Sequence, residues 1–381
     1  MIWIDTQDAF EEAMKRVATQ PKVAVDTEAD SLHSYFDKVC LIQISISGED
    51  LVIDPLSKID LAAFGRILGD QRITKVLHGA DYDLRILNRD FGFTIANVID
   101  TMICAQLLGY EAIGLAALLE RYFALAVDKT HQRADWAMRP LPRVMLEYAA
   151  ADTRHLVALA DNMREELIAI GRWEWAKEEF ARLETIRFAE KDENEEGFRR
   201  LKGINALDRQ SLAIARALHE WRDQLARAAD RPPFKIFGND MILEIARAKA
   251  ATPEELNGIK ALSPGHRRRY EREILRRVRE ALALPEEMLP EKGEARPWSR
   301  DKALESRVSR LKDVRDKKAK ELKLDPGVLA PRHVLTAIAA AGNLDQVPAM
   351  RDWQKRVLGD DLLRVLSTVQ SRRWNELPTT K

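Results

Sequence analysis

The chain has 381 residues, of which 46% are hydrophobic and 32% charged, and this composition excludes a disordered or fibrous protein and allows two or three folded domains. Its 61 Lys and Arg balance 61 Asp and Glu, no apolar run is long enough to cross a bilayer, and the acids in MIWIDTQDAF are not typical of a signal peptide. We therefore expect a cytoplasmic protein without a membrane partner.

The zero net charge conceals a difference between the two halves. Residues 1–200 carry 24 Lys and Arg against 35 Asp and Glu (net −11), and residues 201–381 carry 37 against 26 (net +11). Either the halves dock against each other or they contact different parts of one polyanionic partner. The motifs of the acidic half favour nucleic acid as that partner.

The first 185 residues alternate predicted strands and helices. Strands are expected at 2–4, Val23–Glu28, Val39–Ser47, Leu51–Asp54, Ile73–Leu77 and near Val98. Helices are expected at residues 6–17, Leu61–Leu68 and Ala80–Phe91. Clustered strands followed by alternating helices and strands indicate an α/β domain with a mixed sheet, which we place at residues 1–185.

The remaining chain is predicted to be helical and is divided by two charged, proline- or glycine-containing linkers. We place these linkers at 186–204 and 285–300, and the helical modules at 205–284 and 301–372. The modules are a predicted repeat, because an offset of 93 residues superimposes charged, proline and apolar positions in order. The matched positions include Arg222 with Arg315, Pro233 with Pro326, Ile242 with Leu335 and Ile245 with Ile338.

The stretch KVAVDTEAD carries two acids that can act together. Val23 to Val25 predict a buried strand, and residues two apart on a strand point to the same side, so Asp26 and Glu28 aim their carboxylates at one point. Ionised carboxylates this close repel each other, and a hard divalent cation stabilises the arrangement. A D-x-E triplet is also common at solvated strand ends and helix caps, so the metal interpretation needs further ligands.

Two later stretches supply candidates for those ligands. In HGADYDLRIL a strand ends and a helix begins; Asp81 and Asp83 are about 200° apart on that helix, so at most one of them points into a site. In LEYAAADTRHL, Tyr148 and Asp152 are four residues apart, so they lie on one helix face and can reach one small target. The alternative for each stretch is a solvated acid at the surface.

With these motifs the sequence resembles the ribonuclease D family of the DEDD exonuclease superfamily. The resemblance rests on VAVDTEAD, LHGADYDL, YAAAD and the DW..RPL pattern at Asp135–Leu141, and the two rear modules resemble helicase-and-ribonuclease-D C-terminal (HRDC) domains. It implies an α/β ribonuclease H-like exonuclease domain with a mixed sheet, followed by two all-α HRDC modules.

The resemblance also implies which side chains form the active site. The four metal-binding acids correspond to Asp26, Glu28, Asp83 and Asp152. His78 lies five residues before Asp83 and selects it over Asp81, and His78 is also a candidate contact to the nucleic acid. Tyr148, four residues before the last acid, matches the tyrosine subclass.

The chemistry expected of such a site is two-metal hydrolysis of a phosphodiester. Two Mg²⁺ or Mn²⁺ ions about 3.5–4 Å apart activate a water and stabilise the attacking and leaving oxygens. Asp26 would bridge the ions, Glu28 and Asp152 would complete the nucleophile-side ion, and Asp83 would hold the other. Tyr148 would orient the attacking water, since an ordinary phenol titrates near pH 10.

The sequence HRRRYEREILRRVREAL in the first rear module predicts a basic helix face. Its apolar stripe contains Tyr270, Ile274, Val278 and Leu282. The arginines outside the stripe are Arg267, Arg268, Arg272, Arg276 and Arg279. Such a face can contact phosphates without reading sequence, and the alternative is a solvated face without a partner.

The spacings alone predict only metal-assisted hydrolysis. The resemblance implies a 3′-to-5′ exoribonuclease that trims extra 3′ nucleotides from tRNA precursors and other structured RNAs and releases 5′-mononucleotides, and we expect it to be a monomer. The HRDC modules would bind the body of the RNA. One alternative is a DNA-proofreading-type exonuclease with the same site, which the basic rear modules argue against. A second is a non-catalytic RNA-binding scaffold, which an incomplete acid set would have favoured.

Overall fold

The structure, a computed structural model, describes residues 1–128, 130–189, 197–292 and 302–375. Its single sheet is mixed, with strand order β1-β4-β3-β2-β5-β6. The strands are β1 Ile2–Ile4, β2 Lys22–Ala29, β3 Val39–Ile46, β4 Glu49–Ile53, β5 Thr74–Leu77 and β6 Val98–Asp100. Strand β3 is antiparallel to β2 and β4, and the other neighbours are parallel.

Helices form most of the rest of the described chain. Those of the sheet domain are α1 Gln7–Val17, α2 Ala62–Gly69, α3 Asp81–Phe91, α4 Thr101–Leu108, α5 Leu115–Phe123, α6 Arg143–Arg154, α7 Leu156–Ala169 and α8 Trp173–Leu183. Those that follow are α9 Arg209–Ala228, α10 Pro233–Ile236, α11 Asn239–Ala248, α12 Pro253–Leu256, α13 Pro264–Leu282, α14 Lys302–Leu322, α15 Pro326–Leu329, α16 Arg332–Ala341 and α17 Asp352–Asn375. A mixed-sheet α/β domain followed by helices confirms the predicted fold class.

Within the described ranges, no helix combines the length and the apolar character needed to cross a bilayer.

The chain forms two compact units. One contains Met1–Ala29, Val39–Phe188 and Arg300–Lys381, and the other contains Asp30–Lys38 and Ala189–Ser299. The domain boundaries predicted from the sequence stay a prediction, and parts of both predicted linkers, residues 190–196 and 293–300, lie outside the described residues.

In the first unit the second helical module shares an apolar core with the sheet domain. The rings of Trp175 and Trp353 stack with centroids 4.8 Å apart, and the Trp353 indole donates to Glu179 at 2.9 Å. Arg172 donates to the carbonyl oxygens of Leu107 at 2.7 Å and Leu322 at 2.6 Å. The second module is therefore an integral part of the unit that carries the sheet.

In the second unit the segment Asp30–Lys38, which joins β2 to β3, packs against α9. The Tyr35 hydroxyl donates to Asp223 at 2.9 Å, and the backbone N–H groups of Tyr35 and Phe36 both donate to Asp230 at 3.0 Å. The guanidinium of Arg227 lies 5.3 Å from the centroid of the Tyr35 ring. Charged hydrogen bonds therefore fix the segment that leaves β2 onto the first helical module.

The structure confirms that the two modules are repeats. Helices α10 and α15, and likewise α11 and α16, begin and end at positions 93 residues apart. In each module one buried arginine donates to the carbonyl at the equivalent position: Arg222 to Phe237 at 3.1 Å and Arg315 to Ala330 at 2.8 Å. Each bond satisfies a buried carbonyl at the end of the short helix, so the repeat extends to individual polar contacts.

A substitution at Gly109 tests the docking of the second module. Gly109 has φ +81°, and a Cβ there would lie 2.0 Å from the carbonyl oxygen of Lys323; Gly92 has φ +70° with nothing within 4 Å. We expect Gly92→Ala to cost about 1–2 kcal/mol through its backbone conformation, and Gly109→Ala to cost about 1–3 kcal/mol more through the clash. Thermal melting measures both, and equal shifts would contradict this account of the interface.

Candidate active site

Strand β2 carries the two acids that the sequence predicted to act together. Residues of a strand alternate between its faces, so Asp26 and Glu28 share one face, and both are half-buried. Asp26 lies opposite Gln43 of β3 in the antiparallel register, and Glu28 lies opposite Leu41. Both acids therefore lie on an interior strand of the sheet.

Helix α6 brings Asp152 to the same point. Its position over the sheet is held by the hydroxyls of Thr153 and Ser45, 2.7 Å apart, and by Arg154, which donates to Asp50 at 2.7 Å. Carboxylate oxygens of Asp26, Glu28 and Asp152 all lie within 4.8 Å of one another. Three of the four predicted acids thus form one cluster of the size that a cation needs.

The fourth predicted acid, Asp83, lies in the first turn of α3 and is 8% exposed. The hydroxyl of Thr27, between the two acids of β2, donates to the Asp83 carboxylate. Asp81 is exposed and pairs with Arg85 at 2.7 Å. Asp83 also acts as a near charge on Asp26 and Glu28, so the structure places Asp83 close to the acids of β2 and leaves Asp81 at the surface.

The turn that precedes α3 is held by Asp100, the residue that caps α4. Its carboxylate accepts from the backbone N–H of Met102 at 2.8 Å, which is the hydrogen bond of a helix cap. It also accepts from Gly79 at 3.1 Å and Ala80 at 2.8 Å. One carboxylate thus fixes two helix starts, and this fixes where Asp83 enters the site.

His78 is half-buried beside this turn. Its Nδ1 lies 2.9 Å from the hydroxyl of Thr101, and burial lowers the pKa of the imidazole. Any contact that His78 makes with RNA would therefore be that of a neutral ring.

Tyr148 lies on the face of α6 that also carries Asp152. Its ring centroid lies 6.1 Å from that of buried Trp136 and 5.9 Å from that of His131. The loop that holds Trp136 is anchored by Arg139, which donates to Asp54 at 2.6 and 2.7 Å and to the carbonyls of Cys40 and Trp136 at 2.9 and 2.8 Å. Arg139 therefore orders the approach to α6 and is not a free phosphate contact.

A cavity of about 380 Å³ opens beside Tyr148, and sequence reasoning missed it. His131 and His155, to which the sequence patterns assigned no role, line it together with Val144, Leu119 and Arg154. Tyr148 lies four residues after Val144 and seven before His155, and this spacing places all three on one side of α6 and its C-terminal end. Helical periodicity could therefore have predicted that they line one cavity. The position of His131 follows from the folding of the preceding loop and has no such signal.

Burial raises the pKa values of all four acids, and the charges of neighbouring site acids raise those of Asp26 and Glu28 further. Burial is the main cause for Asp26, and Asp83 is the charged neighbour with the largest effect on it. The pKa of Glu28 rises to about 9 through burial and the charge of Asp152, and burial raises the pKa of Asp152 to about 7 and that of Asp83 to about 6. The pKa of Tyr148 is raised as well, by burial and then by Asp152, so the phenol keeps its proton at neutral pH.

Comparison with known proteins identifies the family to which this site belongs. The family model described as 3′-5′ exonuclease matches residues 1–168, and the HRDC domain model matches residues 211–278 and 305–366. Ribonuclease D of Desulfotalea psychrophila is 30% identical over 362 residues, 94% of this chain and 96% of the relative. The chain belongs to the ribonuclease D family. It is a 3′-5′ exoribonuclease, and this confirms the family and the enzyme class that the motifs predicted.

Solved structures of ribonuclease D and of a similar protein extend the likeness over the whole chain. The crystal structure of Escherichia coli RNase D, "an exoribonuclease involved in structured RNA processing", is 27% identical with a TM-score of 0.71 and covers 96% of this chain and 98% of its own. A protein from Bifidobacterium adolescentis is 27% identical with a TM-score of 0.80, and covers 96% and 97%. The likeness to solved structures therefore covers the exonuclease domain and both HRDC domains.

The acids of this ribonuclease D site fit a divalent cation. Asp26, Glu28 and Asp152 offer only carboxylate oxygens, the ligands that Mg²⁺ and Mn²⁺ prefer. Their raised pKa values mean that the site is unfavourable for bare negative charge, and a cation removes that cost. The donor set thus agrees with the divalent-metal dependence of the family.

The predicted RNA-contacting arginines of α13 differ in their surroundings. Arg267 pairs with Glu271, and Arg276 pairs with Glu273 and Glu280, both at 2.5 Å. Arg268 and Arg272 are exposed, and the structure gives them no carboxylate partner among the described residues. A phosphate would therefore compete with intramolecular carboxylates at two positions and not at the other two.

The raised pKa values predict how pH changes the stability of the cation-free protein. Folded Asp152 and Glu28 titrate near 7 and 9 rather than at 3.8 and 4.5, so between about pH 4 and 9 the folded chain binds more protons than the unfolded chain, and stability falls as pH rises. In EDTA we expect a lower melting temperature at pH 8 than at pH 5.

Two variants separate this effect from other titrations. Asp152→Asn should raise the pH 8 melting temperature in EDTA and flatten the pH dependence, because it removes a buried charge that is unfavourable without cations. Asp81→Asn should leave the slope unchanged, since the pKa of Asp81 is lowered, not raised. A wild-type melting temperature that is flat from pH 5 to 8 in EDTA would contradict the account.

Proposed function

We propose that this exoribonuclease trims extra 3′ nucleotides from tRNA precursors and other structured RNAs by two-metal-ion hydrolysis, and that it releases 5′-mononucleotides. The observation that carries the proposal is the cluster of Asp26, Glu28 and Asp152 within 4.8 Å, with Asp83 close enough to act as a near charge on Asp26 and Glu28. Three separate elements, β2, α3 and α6, supply acids to this one place, and a purely structural role would not need such an unfavourable arrangement.

The arrangement supports one division of roles among the acids. All three other acids, Asp83, Glu28 and Asp152, act as near charges on Asp26, so it is the acid that two cations would share. Glu28 and Asp152 would complete one cation site, and Asp83 the other. Two divalent cations would supply the positive charge that stabilises the attacking and leaving oxygens of the phosphodiester.

Tyr148 supports the reaction as an orienting group. Its raised pKa keeps the hydroxyl protonated at neutral pH, so it can donate a hydrogen bond but cannot act as a general base. The packing of its ring against Trp136 limits its rotation. We assign it the positioning of the attacking water.

Two observations favour structured RNA as the substrate class. The solved RNase D of Escherichia coli is described as taking part in structured RNA processing, and this chain aligns with it over nearly its whole length. The exposed Arg268 and Arg272 of α13 can contact phosphates, which positions a folded RNA without reading its sequence.

A 5′-labelled tRNA precursor with a 3′ extension tests the activity. We expect stepwise shortening from the 3′ end in Mg²⁺ that stops near the mature length, and no shortening in EDTA. Asp152→Asn and Asp83→Asn should reduce the rate by at least about 10³-fold, because each removes an anionic ligand. Tyr148→Phe should reduce it by about 10–100-fold, since it removes orientation only.

Matched controls accompany each of these variants. Asp81→Asn changes an exposed acid in the same turn as Asp83. Tyr122→Phe changes a tyrosine whose hydroxyl bonds Tyr110 and Glu166 and none of the four site acids. Both variants should keep wild-type rates. Activity that survives chelation would contradict the metal mechanism. Equal rates on the precursor and on an unstructured oligonucleotide with the same 3′ end would contradict only the proposed substrate class.

The surroundings of the α13 arginines predict different effects on RNA binding. Arg268→Ala combined with Arg272→Ala should weaken binding and lower the slope of log K against log salt by about 1 for each phosphate that is no longer bound by an arginine. Arg276→Ala should have a smaller effect, because Glu273 and Glu280 already neutralise that guanidinium. Fluorescence anisotropy at several salt concentrations measures RNA binding by the double variant, by Arg276→Ala and by the wild type. Equal slopes for the three proteins would contradict the proposal that Arg268 and Arg272 contact phosphates.

A further inference from the structure

Gln43, in the middle of β3, is a polar side chain that the fold leaves without partners. It is 0% exposed, and neither Nε2 nor Oε1 of its amide has a hydrogen-bond partner in the part of the chain that the structure describes. A buried donor or acceptor without a partner costs about 1–3 kcal/mol. Native proteins rarely keep such a group without a functional or ligand-related reason.

The register of the sheet places Gln43 beside the candidate active site. Gln43 lies directly opposite Asp26 on β2 and opposite Val52 on β4. Directly opposed residues of antiparallel strands share a face, with Cβ atoms about 4.5–5.5 Å apart. The Gln43 side chain therefore emerges from the sheet on the same side as the Asp26 side chain, from directly opposed positions.

The other strand neighbours of Gln43 on this face offer it no hydrogen bond. Leu41 and Val52 are apolar and belong to a buried cluster with Ala149 and Ala150 of α6. Ser45, two residues along β3, already donates to Asp50 at 2.7 Å and lies 2.7 Å from the Thr153 hydroxyl. Asp26 is the one directly opposed or same-strand neighbour that still offers Gln43 an acceptor.

Cation binding would keep the Asp26 carboxylate ionised and bring water molecules, and these can supply the partners that the amide lacks. A carboxylate accepts hydrogen bonds, and the water of a hydrated cation donates them, so an amide beside a cation-binding carboxylate can satisfy both Nε2 and Oε1. Groups that hydrogen-bond a metal-binding side chain fix its orientation, and their loss typically lowers metal affinity 10–100-fold.

We propose that Gln43 is a positioning residue of the cation site, whose Nε2 donates to the Asp26 carboxylate and orients it for binding to both cations. The inference rests on the proposed two-metal function. It assigns Gln43 no contact with the substrate and no proton transfer, and its expected effect is on cation affinity.

The test is a Mn²⁺ titration of the full chain without RNA, with free Mn²⁺ measured by electron paramagnetic resonance. Gln43→Met keeps the length of the side chain and removes its polar atoms; we expect about 10-fold weaker Mn²⁺ binding. Its melting temperature in EDTA should equal or exceed that of the wild type, because an unsatisfied buried amide is gone. Leu41→Met, on the same strand and face, controls for altered packing and should bind Mn²⁺ like the wild type.

Each outcome of this titration decides whether Gln43 positions the cation site or only fills space in the core. Unchanged Mn²⁺ affinity in Gln43→Met, or a lowered melting temperature in EDTA with unchanged affinity, would overturn the proposal and leave Gln43 a packing residue. Asp152→Asn is titrated in parallel: if it also binds Mn²⁺ normally, the proposed two-metal site itself fails. If only Gln43→Met binds normally, this inference alone fails.

A measurement on the wild-type chain covers the case in which Gln43→Met does not fold. With selective ¹⁵N labelling of glutamine side chains, addition of Mg²⁺ should shift the Gln43 amide resonance downfield as a hydrogen bond forms. Gln43→Glu, which loses that resonance, assigns it. A Gln43 resonance that does not move while the site is saturated with Mg²⁺ would overturn the proposal.

Discussion

The repulsion between buried carboxylates is the constraint on which the rest of this structure depends. Asp26, Glu28 and Asp152 lie within 4.8 Å of one another, and Asp83 adds a fourth acid beside them. Burial raises their pKa values, and neighbouring acids raise those of Asp26 and Glu28 further, so the folded chain holds them together against an electrostatic cost. When divalent cations bind, the electrostatic contribution of these carboxylates to stability changes from unfavourable to favourable. The acids that destabilise the bare site then become the ligands of the cations.

The scaffold maintains this arrangement with contacts that lie just outside the cluster. The pair of Ser45 and Thr153 holds α6 over the sheet, the hydroxyl of Thr27 holds Asp83, and Asp100 fixes the turn before α3. Gln43 fits this pattern as the group beside Asp26. Because the supports come from the sheet and from helix starts, the site rests on rigid elements rather than on loops.

Local patterns were sufficient to predict much of this from the sequence. The alternation of β2 placed Asp26 and Glu28 on one face, the i, i+4 spacing paired Tyr148 with Asp152, and the 93-residue offset revealed the two modules. The choice of Asp83 over Asp81 came from the family resemblance, since helix geometry alone left both open. Long-range packing had no sequence signal: the stack of Trp175 on Trp353, which makes the second module part of the first unit, joins residues far apart in the chain. His131 and Gln43 were missed because loop folding and strand register decide their neighbours.

Anomalous diffraction from crystals soaked in Mn²⁺ tests the central claim most directly. The account predicts two anomalous peaks about 3.5–4 Å apart, with the Asp26 carboxylate bonded to both, Glu28 and Asp152 at one and Asp83 at the other. No peak within the cluster, or peaks that leave Asp26 without a metal, would contradict it.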